Sequence, residues 1–565
     1  MKKDSTKLIS VALGQKPADL LLTNARIVNV FTGEIEQANV AVAGDRIAGV
    51  GNYHQATEVI DLKGRYLAPG FIDGHVHMES SMLHPAQYAR AVVPRGVTGI
   101  VTDLHEIANV AGFAGIRYIM DCVRQLPFEL FLMVPSSVPA TELETAGDRL
   151  TAKDIQTALR WKNVIGLGEM MNFPGVLSQD KEVLAKLASS RGYVVDGHAP
   201  SLKGKELNAY IAAGIHSDHE SVTFEEAQEK LRRGMHIMIR EGSSEKNLET
   251  LLPLINDNTY HRCLFVVDDR SCTDLRRDGD IDAVVRKAVQ LGLSAVRAIQ
   301  LATINPARYF RLDSMGAVAP AYYADFIVLS DLNIMRVNMV YHRGQLVAHG
   351  NQPLFALPPP SQELRDTIHI KPFEISALRI PESQRDDPLI EMVPGQIVTR
   401  KVRAKVKVSN GEVMPDPAQD ILKLVVVERH KATGKIGRGL VRGFGLKRGA
   451  LASSIAHDSH NIVAVGTNDS DIYHAVKEVE RLGGGLVVTS QGKVLSALPL
   501  PIAGLLSDLP LEAVVARLEE LERIIRELGC KLPSPFVALS FLSLPVIPEL
   551  RLTDHGLVEV TARVP

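Results

Sequence analysis

Eight short apolar runs separated by helical stretches, β-rich segments on either side of them, and a Pro-rich joint before a third unit predict an α/β protein. The expected architecture is a TIM-like (β/α)8 barrel flanked by a small split β-sandwich domain, with a C-terminal mixed α/β domain. At 565 residues the chain is too long for one hydrophobic core, in keeping with several domains.

Residues 1–66 hold turn-broken apolar runs, "LLLTNARIVNVFTGE", "NVAVAGDRIAGVG" and "EVIDLKGRYLAPG", without helical period. They predict the first half of the β-sandwich. From 67 to 312 the rhythm changes. Runs rich in β-branched residues recur at roughly the 20 to 35 residue spacing of βα units. They are "GFIDGHVH", "VTGIVTD", "FELFLMVP", "NVIGLGEM", "YVVDGHA", "GIHSDHE", "MHIMIRE" and "CLFVVDD". Between them lie helical stretches such as "TAKDIQTALRWK", "DKEVLAKLASSR" and "TFEEAQEKLRRG", the last capped by Thr223 and closed by Gly234. Two more helices, "IDAVVRKAVQLG" and "SAVRAIQLAT", follow the eighth run.

β character returns over 313–358 in "YYADFIVLSDL" and "VNMVYHRGQLVAHG", which predict the second half of the sandwich. Domain termini lie close together, so a barrel can be inserted between the halves without distortion. "LFALPPPSQELRD" makes 359–372 a linker, and 373–565 forms the C-terminal domain. Its helices are expected over "SDIYHAVKEVERLGG" and "LEAVVARLEELERIIRELG", each with an apolar face and a terminal glycine. The segment "GKIGRGLVRGFGLKRG" is basic and Gly-rich but lacks phosphate-loop spacing, so a twisted hairpin is expected there.

The formal net charge of −2 leaves no electrostatic footprint for nucleic acid or an anionic membrane. No run reaches the roughly twenty apolar residues that cross a bilayer. The N-terminus has only a short, interrupted apolar stretch, which argues against a secretory leader. Cys122, Cys263, Cys272 and Cys530 are scattered without a CxxC pair and read as buried thiols of a reducing compartment. A cytoplasmic location is expected.

A barrel of this kind places its chemistry at the C-terminal strand ends. The first end carries His75 and His77. Residues i and i+2 of a strand share a face, so both imidazoles aim at one point. The fourth end carries Glu169, the fifth His198, the sixth His219, and the eighth Asp268 and Asp269. Each alone could be a core histidine, an ion-pair partner or a helix cap. Ligand-type residues at five strand ends together point to metal. Two imidazoles and an aspartate can hold one ion, two further imidazoles another, and a carboxylate between them can bridge. Nitrogen and oxygen donors without thiolate suit Zn, Mn or Fe(II).

"PGFIDGHVHMESSML", "DLHEIANVAG", "GLGEMMNFPGV", "DGHAP", "SDHES" and "SSIAHDSHNIVAVGTND" resemble the amidohydrolase superfamily, and within it the branch acting on adenine. Members carry HxH on strand one, a bridging carboxylated Lys or Glu on strand four, His on strands five and six, and Asp on strand eight. The resemblance covers essentially the whole chain. It departs where Leu104 replaces an expected proline and Val267 an expected threonine. It implies hydrolytic deamination of adenine to hypoxanthine and ammonia. Two divalent ions per chain, Mn or Fe(II) with Zn as alternative, would be held by His75, His77, Glu169, His198, His219 and Asp268.

In that reading Asp268 moves the proton, and His105 and Glu106 position substrate or relay protons. Glu79, Ser80 and Asp269 contact the purine. A plainer reading makes His105 a loop donor, Glu106 the start of a helix, and Glu79, Ser80 and Ser81 a helix cap. His457, Asp458 and His460 could form a second metal site or a lid over the barrel mouth, and the lid is the expectation. A homo-oligomer, dimer or larger, is expected, with no nucleic-acid or membrane partner. Two other readings are hydrolysis of a cyclic amide or different amino-substituted ring, and a non-catalytic barrel scaffold.

Overall fold

A computed structural model of the protein describes residues 2–394 and 396–560. The barrel strands are β1 (Phe71–Asp73), β2 (Val97–Thr102), β3 (Glu129–Val134), β4 (Val164–Met170), β5 (Val194–Gly197), β6 (Ser217–Asp218), β7 (His236–Arg240) and β8 (Cys263–Val266). Two parallel ladders run β5-β4-β3-β2-β1 and β6-β7-β8. His216 N donates to Val195 O at 3.2 Å across the gap between them. The cylinder closes where Asp268–Asp269 pairs in parallel with Val76–His77. Helices cover the outside, so a strand such as β2 is buried at every position and reads as a continuous apolar run.

The first strand differs from expectation. It does not run unbroken to His77 but splits into Phe71–Asp73 and Val76–His77. The cause is Asp73, a buried carboxylate whose Oδ1 accepts from His75 N at 3.1 Å and Val267 N at 3.3 Å. At the break, a Cβ on Gly74 would lie 2.5 Å from Leu264, so only glycine fits.

Both β-rich flanks enter one nine-stranded sheet. Tyr66–Pro69, before the barrel, pairs antiparallel with Phe326–Leu329, after it. Leu20, Leu22, Ile27, Val40, Leu67, Phe326 and Val328 share one core, which requires the sheet to curl on itself. A helix over Lys2–Ala12 precedes it that the sequence reading did not include. Leu8 and Val11 bury against Leu21, Ala41 and Ala48, too few apolar positions to show a period on their own.

The C-terminal domain is an eight-stranded sheet between two layers. Helix Asp469–Arg481 lays Ile472, Ala475, Val476 and Val479 on one face, over Val425, Val427, Ala452 and Ala464. Leu424, Val426, Val463 and Val465 face the other way, toward helix Leu511–Glu527 and the barrel. Both helices fall where expected. No hairpin forms within the basic Gly-rich segment, whose strand pairs antiparallel with the one before it. Ile436–Arg442 is an interior strand, between Leu389–Met392 and Ile421–Val427. Its glycines serve close packing instead, since a Cβ on Gly437 would lie 1.8 Å from Thr553 O.

This domain is seated on the barrel by specific contacts. Arg90 pairs with Glu512 at 2.7 Å, and Thr145 donates twice to Asp554, at 3.0 and 2.7 Å. All four cysteines are free thiols, three of them buried. Among the described residues, no helix is long and apolar enough to cross a membrane.

Candidate metal centre

Glu169, at the end of β4, is the hub of the barrel mouth. Its Oε1 lies 3.3 Å from His77 Nε2 and 4.0 Å from His75 Nε2. Its Oε2 lies 2.7 Å from His198 Nδ1 and 3.2 Å from His219 Nε2. Asp268 joins the first side, its Oδ1 3.5 Å from His75 Nε2 and 3.3 Å from His77 Nε2. All six residues expected as metal ligands therefore meet. The eighth strand's turn is strained to achieve this, with Asp268 at φ +61°.

Apart from the 2.7 Å hydrogen bond of His198 Nδ1 with Glu169 Oε2, the spacing fits a metal. Bonds of about 2.1 Å to one ion set neighbouring ligand atoms roughly 3 to 3.4 Å apart, longer than a hydrogen bond. His75 Nε2 supplies the deciding observation. The residue is 3% exposed and this nitrogen has no hydrogen-bond partner, a loss a ligand site removes. His75, His77 and Asp268 on one side, and His75, Glu169 and His219 on the other, are each grouped closely enough to share a divalent ion.

Electrostatics keep the carboxylates ionised. Burial alone would raise Glu169, but the imidazoles of His219 and His198 hold it well below the usual carboxylate range. Asp268 is likewise held down against burial by His75 and His77. Arg240, from the end of β7, donates to Asp268 Oδ2 at 2.8 Å.

The remaining candidates lie on the same rim. His105 Nδ1 is 2.9 Å from Asp103 Oδ1 and its Nε2 is 3.5 Å from Glu106 Oε1. Both residues open helix His105–Val123, so the plainer reading of Glu106 also describes its backbone. Glu79 is buried, with Oε1 accepting from Ile107 N at 3.4 Å and Oε2 without a hydrogen-bond partner. Burial pushes its carboxyl up to about 7. Ser80 donates to Asp269, which separates the two neighbouring aspartates: Asp268 faces the imidazoles, Asp269 the Met78–Ser81 turn. Glu79, Ser80 and Ser81 do not form a helix cap. The 3-10 turn has no side-chain cap, and Ser81 donates to Met78 O within it at 2.6 Å.

Three contributions escaped the sequence reading. Asp103 sits 3.3 Å from His77 Nδ1, Glu220 Oε1 lies 3.5 Å from His219 Nε2, and Arg240 also pairs with Glu220. The segment expected as a lid reaches the same rim from the C-terminal domain. His457 Nδ1 is 2.5 Å from Glu106 Oε1, and His460 Nε2 abuts Oε2 of the same carboxylate. Asp103 and Glu220 each stand within two positions of a chosen histidine, and Arg240 ends a strand whose tip carried no metal-type ligand.

Comparison with known proteins agrees with this geometry. Residues 66–347 match the amidohydrolase family, and residues 396–563 match the adenine deaminase C-terminal domain. An adenine deaminase of Dehalococcoides mccartyi strain 195 is 60% identical over 565 residues, spanning 100% of this chain and 99% of that one. The chain belongs to the adenine deaminase family. Adenine deaminase 2 of Carboxydothermus hydrogenoformans is 51% identical over 98% of this chain and 97% of its own. An adenine deaminase of Clostridium acetobutylicum is 46% identical over 98% of each chain. Within the family pattern, Leu104 matters most among the departures. Its φ of +54° is closed to proline, so the turn into His105 here differs from one built on proline.

Proposed function

We propose that this protein deaminates adenine hydrolytically, giving hypoxanthine and ammonia. Two divalent ions would be held, one by His75, His77, Asp268 and Glu169 Oε1, the other by His198, His219 and Glu169 Oε2. Mn or Fe(II) fits best, with Zn as alternative. The observation that carries the reading is the two-sided arrangement of imidazoles about Glu169, in a chain 60% identical to an adenine deaminase along its whole length. Bound ions of this kind lower the pKa of coordinated water toward 7, making a nucleophile available at neutral pH.

The chain's own residues do the rest. Asp268 takes the proton from the attacking water and passes it to the leaving amine. Arg240 fixes its Oδ2 while Oδ1 faces the two imidazoles, which favours Asp268 over Asp269 for this work. Attack at C6 pushes charge onto the ring, so a ring nitrogen must gain a proton. His105 and Glu106 stand at the rim for that relay. Glu79, Ser80 and Asp269 contact the purine edge. The protein acts in the cytoplasm as a dimer or larger assembly without nucleic-acid or membrane partners. Its buried free thiols and near-zero net charge support that placement.

The test is ammonia release after chelation and after adding back Mn, Fe(II) or Zn. Adenine should outrun cytosine, guanine, adenosine and dihydroorotate, and only with metal restored. No ammonia from adenine with any of the three ions would overturn the reading. Sedimentation of the same samples reports the assembly state.

A further inference from the structure

Glu106 belongs to the barrel, yet both of its oxygens are met by the C-terminal domain. His457 Nδ1 lies 2.5 Å from Oε1, and His460 Nε2 lies against Oε2. Ala456 N donates to His460 Nδ1 at 3.2 Å, which leaves the ring's proton on Nε2, facing the carboxylate. The segment carrying these rings is firmly held. Phe541 stacks on His457 at 4.7 Å with planes 19° apart, and His430 Nε2 reaches Ser459 O at 2.7 Å. Asn461 donates to Thr145 O, in the barrel, at 2.9 Å. His460 stays in the left-handed region at φ +56°, a conformation unfavourable for a residue with a Cβ.

His105, Glu106 and Asp458 are also near enough to share a cation. The His457 to Glu106 contact, outside that trio, is of another kind. Two ligands of one ion stand about 3 Å or more apart, whereas 2.5 Å is a short, charge-assisted hydrogen bond.

We infer that His457 and His460 are positioning residues that clamp Glu106 in place, so that the C-terminal domain completes the active site of the barrel. This rests on the proton-relay reading of Glu106 given above. A carboxylate on a helix start, free to rotate, would spend little time aligned with a purine nitrogen. One imidazole hydrogen-bonded to Oε1 and a second packed against Oε2 remove that freedom. The clamp acts after substrate binds, so it should govern kcat more than KM, and it leaves the barrel-strand ligands untouched.

Full-length, metal-loaded variants test it. His457→Asn keeps an amide N–H near the Nδ1 position, whereas His457→Leu keeps only bulk against Phe541. The clamp predicts that His457→Leu lowers kcat on adenine about 100-fold, as a misplacement of roughly 1 Å does. KM and metal content should stay near wild type, and His457→Asn should stay within about tenfold. His460→Gln, which keeps a donor near Nε2, should likewise exceed His460→Leu. Combining His457→Leu with Glu106→Gln should lose little beyond Glu106→Gln alone. Equal rates for the Leu and Asn variants, or fully additive losses, would overturn the clamp. Should the Leu chain fail to fold, the Asn variant paired with Glu106→Gln still reports additivity. A wild type inactive on adenine would instead strike the proposed function. In that case a crystal structure of His457→Asn decides the clamp by whether Glu106 keeps its place.

Discussion

Two fully buried charged clusters lie one residue apart in sequence and behave in opposite ways. Asp218 belongs to the first. Lys230 Nζ there donates to Ala199 O, Asp218 Oδ2 and Glu226 Oε1 at 2.8 Å each, and to Ser221 Oγ at 3.1 Å. His219 belongs to the second, where His75 Nε2, facing Glu169 and Asp268, lacks a hydrogen-bond partner. A saturated cluster holds structure together. One with a buried nitrogen left over is arranged for something that binds.

The sharpest way to break that contrast is Asp268→Asn. It should lower the deamination rate about 10³-fold, equivalent to about 4 kcal/mol at the barrier, with metal retained. Ammonia release beside metal analysis checks it; most of the rate surviving with metal bound removes Asp268 from proton transfer. Lys230→Met should act on stability instead, by about 3 kcal/mol, because it strands the Asp218 carboxylate in a dry site. Urea unfolding measures this, and a midpoint within error of wild type would mean that the saturated cluster holds nothing together.

The smallest effect is a pH dependence of the same variant. Burial would raise Asp218, but Lys230 holds it below its ordinary 3.8. A depressed carboxylate contributes its stability in full above that ordinary value, and loses it as pH falls through the folded value. The Lys230→Met deficit, measured metal-free, should therefore shrink as pH falls toward 3.8, where the stranded carboxylate takes up its proton, and further below it, where the wild-type pair is lost. A deficit constant from pH 6 to pH 3 would show that the pair's charge is not its source.

Much of the site could be read from residue order. His75, His77, Glu169, His198, His219 and Asp268 were legible because strand ends are recognisable and a barrel gathers them. Asp103, Glu220 and Arg240 were not, since a carboxylate or guanidinium beside a histidine is common in any chain. Their meaning appears only when Arg240 reaches both Glu220 and Asp268. The broken first strand was hidden for a similar reason: Asp73 looks like a strand residue until its carboxylate is seen taking two backbone donors.

Periodicity and residue type alone determined the alternation of strands and helices, the ligand-type residues at the strand ends and the mixed third unit, because these depend on local spacing. Only the tertiary structure decided that the flanks share one curled sheet, that Ile436–Arg442 is an interior strand, and that Glu106 is gripped from another domain. Each of those is a meeting of segments far apart in the chain, Glu106 and His457 by 351 positions. Such meetings are set by how whole faces pack together, which no local pattern encodes.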